Sequence, residues 1–166
     1  MICILFIQPF TMPVTFFLRN KIIFIFTVVL FVFSSCKVTL LAPYDEITDK
    51  IVTEMQEMSS AFFVKLESEP TSAAMKYEQQ KEFYQKLKVK AATVRIRNKA
   101  IDKNKTVVSM INELEANINR LETLHKGKAN GLLLPEEVML LKDAFETQYS
   151  AIIRFMMALK QRAKAD

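Results

Sequence analysis

The stretch PYDEITDKIVTEMQEMSSAFFVKL, residues 43–66, predicts an amphipathic helix. Its large apolar side chains recur at steps of three and four residues, so they fall on one face of a helix with about 3.6 residues per turn. Pro43 suits the first turn of a helix, and Pro70 ends the pattern. The predicted inner positions are Tyr44, Ile47, Ile51, Met55, Met58, Phe62 and Leu66, with Val52 and Phe63 widening the face.

Three further segments show the same spacing. We expect a second helix from Ser72, a third from Val107 to Lys126 and a fourth from Pro135, with Gly127 ending the third in the left-handed conformation. The predicted inner positions are Tyr77, Gln80, Tyr84, Leu87, Ala91 and Val94, then Val107, Ile111, Leu114, Ile118 and Leu121, then Val138, Leu141, Phe145, Ile152, Met156 and Leu159.

Four amphipathic helices with short links predict an all-α protein, an antiparallel (up-down-up-down) four-helix bundle. The predicted turn between the second and third helices covers residues 101–106, where the apolar spacing falters. An alternative is one continuous helix from Ser72 to Lys126, about 80 Å long at about 1.5 Å per residue. The first and last helices would then be stacked end to end along it.

Upstream of these helices, residues 22–36 read IIFIFTVVLFVFSSC. Arg19 and Lys21 precede the apolar run, which is shorter than the about 20 residues that a bilayer span needs. A positive flank, a short apolar core and small residues at the end predict a secretory signal. The alternative is an uncleaved signal anchor in which Cys36 has no special role.

The end of this segment, Phe33-Ser34-Ser35-Cys36, resembles the processing box of bacterial lipoproteins, although Leu is commoner than Phe at its first position. The resemblance implies cleavage between Ser35 and Cys36. It also implies a diacylglycerol on the Cys36 sulfur and a further acyl group, such as palmitate, on the new amine. Each buried methylene contributes about 0.8 kcal/mol, so two or three chains would hold the protein on a membrane.

The domain boundaries follow from this signal. Residues 1–35 are the predicted signal peptide, residues 36–43 the lipidated cysteine and a short tether, and residues 44–166 the bundle. Residues 1–11 are uncharged and precede the positive flank, so we expect translation to start at Met12, with Met1 as the alternative. Loss of the signal lowers the formal charge from +5 to +3, which does not by itself indicate nucleic acid binding.

A basic cluster surrounds the turn between the second and third helices. The ordinary interpretation is a solvated helix face. In an up-down-up-down bundle, however, this turn lies at the same end as the start of the first helix, which Cys36 would hold at the membrane. Each basic residue near an anionic surface contributes about 1 kcal/mol. The residues predicted to face the lipid head groups are Arg95, Arg97, Lys99, Lys103 and Lys105, with Lys160, Arg162 and Lys164 beside them.

Three consecutive leucines, Leu132, Leu133 and Leu134, lie in the link before the fourth helix. They are expected at the end of the bundle away from the membrane. Apolar side chains in such a link commonly cover the core, and the alternative is an exposed tip that docks on a partner protein.

Glu122 and His125 have the Glu-x-x-His spacing of carboxylate-bridged metal bundles. Such a site needs two of these pairs and two further glutamates, whereas the chain has one histidine, so we expect no metal site. His125 with a methionine could ligate haem; the ordinary interpretation is a solvent-facing histidine in the last helical turn. No nucleophile with a recognisable partner and no Gly-rich phosphate loop is present, so we expect no enzymatic activity, no catalytic residue and no cofactor beyond the lipid on Cys36.

The segment APYDEITDK, residues 42–50, followed by a periodic helix, resembles small uncharacterised helical bacterial lipoproteins. Such proteins carry no assigned reaction, so no residue role transfers beyond the box at Cys36. Lys37, with no acidic retention residue, resembles outer-membrane sorting toward the periplasm in a host with two membranes. We expect a non-catalytic envelope module that is structural or binds a protein partner. The alternative is a bundle that binds a small ligand or haem.

Overall fold

The computed structural model describes residues 42–165. The predicted signal peptide, the cleavage site after Ser35, the lipid on Cys36 and the start at Met12 all lie outside the described residues.

The described residues form four α-helices and contain no strand, which confirms the all-α prediction. Helix α1 spans Glu46–Ser68, α2 spans Tyr77–Lys99, α3 spans Lys105–Lys126 and α4 spans Pro135–Ala165. A single 3₁₀ turn, Ala73–Met75, lies in the link between α1 and α2. The turn between α2 and α3 makes the continuous-helix alternative wrong.

Two predicted helix ends differ from the structure. Helix α1 begins after Pro43, because Asp45 is its N-cap and accepts from the Thr48 N–H at 3.2 Å. Ser72 caps the 3₁₀ turn and not α2, which begins at Tyr77.

The predicted left-handed residue after α3 is also in a different place. Gly127 has a φ of −74°, which is ordinary helical backbone. Gly131 instead takes the left-handed conformation, with a φ of 70°. This glycine lets the link reverse direction just before the three leucines.

The core is built from one stripe on each helix, and most predicted inner positions of α2, α3 and α4 belong to it. In α1, the predicted positions Val52, Met55, Phe62, Phe63 and Leu66 are buried, and the buried stripe differs from the prediction at three other positions. Ile47 is 50% exposed, whereas Thr48 and Ser59 are buried. In α2, Gln80 is only half-buried and its amide donates to the Ala74 carbonyl at 2.8 Å.

At one end of the bundle, called the Asn98 end, Asp45 of α1 contacts Arg97 of α2, and Asn98 contacts Asn104 at the start of α3. These contacts bring the beginning of the described chain beside the α2–α3 turn.

At the other end, called the His125 end, the Gly131 carbonyl accepts from the Tyr77 N–H and from His125 Nε2, at 2.9 Å each. The beginning of α2 therefore lies beside the α3–α4 link. The 23 residues of α1 correspond to about 35 Å, which is the approximate distance between the two ends.

Candidate functional site

An ion pair fixes the start of α1 at the Asn98 end. The two Asp45 carboxylate oxygens accept from Arg97 Nε at 2.5 Å and from Arg97 Nη2 at 2.8 Å, in the bidentate geometry of strong Arg–carboxylate pairs. The Thr48 hydroxyl donates to the same carboxylate at 2.7 Å. Hydrogen bonds from Arg97 lower the pKa of Asp45 to about 2, against the opposing effect of partial burial. The helix cap therefore stays ionised at neutral pH.

Behind this ion pair lie three buried polar side chains, Thr48, Asn98 and Asn104. Asn98 Nδ2 donates to Thr48 Oγ1 at 2.7 Å and to the Val94 carbonyl at 2.8 Å. Asn98 Oδ1 accepts from Asn104 Nδ2. Among residues 42–165, Asn104 Oδ1 is the buried side-chain polar atom left without a hydrogen bond. The three side chains thus connect α1, α2 and the α2–α3 turn through one polar network.

Two arginines of the basic cluster form ion pairs with acidic residues of the bundle. Arg97 is held by Asp45, and Arg95 Nε donates to Glu115 Oε2 at 3.0 Å. These two arginines, both predicted to face lipid, are therefore held by the bundle itself. Lys99, Lys103 and Lys105 have exposed side chains at the Asn98 end.

His125 is fully buried, so the prediction of a solvent-facing histidine is wrong. Its Nδ1 lies 2.8 Å from the Tyr84 hydroxyl, and its Nε2 lies 2.9 Å from the Gly131 carbonyl. A carbonyl only accepts, so we assign the proton to Nε2, and Nδ1 then accepts from Tyr84. Burial lowers the pKa of His125, while hydrogen bonding to Gly131 opposes this effect in part. Burial therefore favours the neutral form of the ring in the folded protein.

This arrangement leaves neither ring nitrogen of His125 open to a metal or a haem iron. Glu122, the predicted companion, faces elsewhere: its carboxylate pairs with Lys88 and accepts from the Tyr77 hydroxyl at 3.4 Å. In the part of the chain that the structure describes, no group of three or more His, Cys, Asp or Glu side chains could hold a metal ion. His125 instead connects α2, α3 and the α3–α4 link.

The three leucines of this link have different environments. Leu133 is 3% exposed and belongs to the core, and Leu132 packs partly against it. Leu134 is 52% exposed, and its N–H is held by Glu137 at 2.9 Å. Of the predicted docking tip, only Leu134 is exposed for contact with another protein.

A groove of about 390 Å³ lies between α1 and α4, near the middle of both helices. Ser59 and Tyr149 are among its lining residues, and their hydroxyl oxygens are 3.0 Å apart. Burial raises the pKa of Tyr149 to about 12, against the opposing hydrogen bond from Ser59, so the phenol keeps its proton at neutral pH. The other lining residues are Gln56, Ser60, Phe63, Phe145, Glu146, Ser150 and Ile153.

Within residues 42–165, no helix is both long enough and apolar enough to span a bilayer. Comparisons with protein-family models, with curated proteins and with solved structures find no match to this chain.

Proposed function

We propose that this chain is an envelope lipoprotein, anchored through Cys36, whose non-catalytic bundle acts as a structural or protein-interaction module at the membrane surface. The observation that carries the proposal is the attachment of residues 42–45 to the Asn98 end of the bundle. Ala42 is 6% exposed and Asp45 is held by Arg97. The proposed partners are the membrane and another protein. The proposed location is the periplasmic face of the outer membrane in a host with two membranes.

The proposed topology is an antiparallel, up-down-up-down bundle. Its support is the order of the contacts between helices. Residues later in the α1 segment pair with residues earlier in α2: Asp45 pairs with Arg97, and Glu54 pairs with Lys90. The same order holds between α1 and α4, because Lys160 lies over the Tyr44 ring and Lys142 pairs with Glu67.

The tether limits how far the bundle can move from its anchor. Between Cys36 and the buried Ala42 lie residues 37–41, which span about 20 Å when fully extended. A lipid on Cys36 would therefore keep the Asn98 end near the head groups. The lysines exposed at that end would add attraction to an anionic surface.

The anchor is tested by the mass of the protein purified from membranes, first native and then denatured. We expect a denatured chain that begins at Cys36 and carries acyl groups. A Cys36→Ser variant should lose the lipid mass and leave the membrane fraction. A denatured mass that includes residues 12–35 without lipid would instead establish a signal-anchored protein. Additional mass in the native state alone would support the ligand-binding alternative.

The orientation is tested with the exposed lysines. We expect Lys99→Gln/Lys105→Gln to weaken the binding of unlipidated protein to vesicles containing anionic lipid by about 30-fold, since each charge contributes about 1 kcal/mol near the surface. Binding is measured by co-sedimentation at low and at physiological salt, because the attraction should be screened.

The matched control is Lys76→Gln/Lys126→Gln, which removes the same charge from exposed positions at the His125 end. This end lies about 35 Å from the lysines at the Asn98 end, several screening lengths at physiological salt. The control should bind like the unmodified protein. Equal losses in the two variants would refute the proposed orientation and leave the lipid anchor unaffected.

A further inference from the structure

We infer that the outer face of α4 binds a second copy of this chain, with the two α4 helices antiparallel. The pairing does not depend on the anchor at Cys36. It depends on a stripe of exposed side chains along α4, on the order of chemical types within that stripe and on the depression at its centre.

The stripe, called the outer stripe, lies on the side of α4 that faces away from the core. Its six positions follow one another at steps of three and four residues, the spacing of helix faces that pair with another helix. All six side chains are exposed in the structure. They are Leu140, Asp143, Thr147, Ser150, Arg154 and Met157.

The ends of the outer stripe are apolar. Leu140 is 67% exposed and Met157 is 52% exposed, so a large apolar side chain lies in water at each end. The two charged residues of the stripe, Asp143 and Arg154, lie between them and are also exposed. Burial of the apolar ends against another surface would be favourable if that surface also matched the charges.

The outer stripe has the same order of chemical types in both directions. An apolar residue at each end is followed by a charged residue, and two hydroxyl residues occupy the centre. The two charges are opposite, so an antiparallel second copy matches like with like at the apolar and hydroxyl positions and acid with base at the charged ones. The pairs are Leu140 with Met157, Asp143 with Arg154, and Thr147 with Ser150. Twofold symmetry makes each pair twice.

The charges also exclude the parallel arrangement. Two parallel α4 helices would place Asp143 against Asp143 and Arg154 against Arg154. Like charges in contact are unfavourable at an interface, so charge complementarity selects the antiparallel pair.

The centre of the outer stripe has room for another helix. Its small residues, Thr147 and Ser150, line a shallow depression of about 630 Å³ together with Ala151. Asp143 and Arg154 line the same depression. Because the distance between packed helices depends on the side chains at the contact, small residues here allow a close approach between two charged positions.

The contact is small. From Leu140 to Met157 the helix rises about 26 Å, and a helix is about 10–12 Å wide, so each copy would bury about 300 Å². The total of about 600 Å² is less than the about 1,200 Å² of stable complexes, so we expect a transient dimer.

An antiparallel pair directs its two Asn98 ends in opposite directions. Copies that carry the proposed lipid anchor would therefore dock from two facing membrane surfaces. This consequence rests on the proposed function, whereas the pairing of the α4 faces does not.

The experiment measures the self-association of full-length protein in detergent by sedimentation equilibrium over a wide range of concentrations. The variants Asp143→Arg and Arg154→Asp each give the two charged positions the same sign. Each variant should self-associate at least about tenfold more weakly than the unmodified protein, because two attractive contacts become repulsive. An equal mixture of the two variants should associate about as tightly as the unmodified protein, since each copy then meets the opposite charge at both positions.

The matched controls make the same charge changes on α3. Glu113→Arg and Arg120→Asp alter exposed side chains outside the outer stripe and should associate like the unmodified protein. Asp143 and Arg154 are exposed as well, so all four variants are expected to fold, which circular dichroism checks.

The inference is overturned if the unmodified protein stays monomeric at every concentration, if the charge-reversed variants associate as tightly as it does, or if their mixture does not associate. A mixture that associates much more tightly than the unmodified protein would indicate parallel pairing and would also overturn it. Equal losses in the α3 controls would attribute the effect to overall charge, with the same consequence.

Discussion

Replacement of Asn98 with alanine is expected to lower the free energy of unfolding by about 4 kcal/mol, the large end of the range for single substitutions. The side chain is 1% exposed and connects Thr48, the Val94 carbonyl and Asn104. Its loss leaves the Asn104 Nδ2 without the acceptor that it now has. Because Asn104 Oδ1 already has no partner, the whole Asn104 amide would then be buried and unpaired.

The measurement is urea unfolding followed by circular dichroism. The matched control is Asn119→Ala, at an exposed position of α3, which should change stability by less than about 0.5 kcal/mol. The Asn98→Ala/Asn104→Ala double variant should lose less than the sum of the two single losses, because the second substitution removes the unpaired amide. Additive losses would show that the two amides do not act as a unit.

The apolar pattern of α1 predicted the buried positions Val52, Met55, Phe62, Phe63 and Leu66 but not the two buried polar ones. In the first turn Thr48 is buried where Ile47 was expected. The observed face includes Thr48 and Ser59, whose hydroxyls find partners on other helices. A polar residue is tolerated in a core only when such partners exist. These partners are 50 or more positions away, so local spacing could not reveal them.

The helical spacing of Asn98 and His125 could have predicted that both side chains are buried. Asn98 continues the α2 stripe four residues after Val94, and His125 continues the α3 stripe four residues after Leu121. Spacing alone therefore predicts both inside. Residue type argued for the surface, because asparagine is usually exposed and a histidine in a last turn is favourable in solvent. The acceptor that allows His125 to be buried, the Gly131 carbonyl, is in a link whose path the sequence does not specify.

Replacement of His125 with alanine is expected to lower the free energy of unfolding by about 3 kcal/mol. The substitution leaves a cavity and removes the acceptor of the buried Tyr84 hydroxyl. It also removes the hydrogen bond from His125 Nε2 to the Gly131 carbonyl, which connects α3 to the α3–α4 link. Denaturant unfolding at pH 7.5 measures the loss, with Lys126→Ala at the adjacent exposed position as the control.

The same histidine makes stability depend on pH in a direction that can be worked out. Its pKa is lowered in the folded state, so the unfolded chain takes up the proton first as the pH falls. The stabilisation is complete above the unfolded pKa of about 6.5 and decreases below it, until the folded group also protonates. The free energy of unfolding should therefore decrease between pH 7.5 and 5, with a slope of at most about 1.4 kcal/mol per pH unit for this one proton.

Tyr84 and Tyr77 contact the His125 ring, and Glu122 precedes it by three residues on the same helix. Burial raises the pKa of Tyr84, Glu122 is paired with Lys88, and Tyr77 contributes a ring edge-on. The chain has one histidine, so a slope between pH 6.5 and 5 that is lost when this side chain is replaced reports its titration. A His125→Gln variant, which can still accept from Tyr84 and donate to Gly131, should show nearly constant stability over that interval. A slope that persists in this variant would mean that carboxylates, and not the buried imidazole, set the acid sensitivity of the bundle.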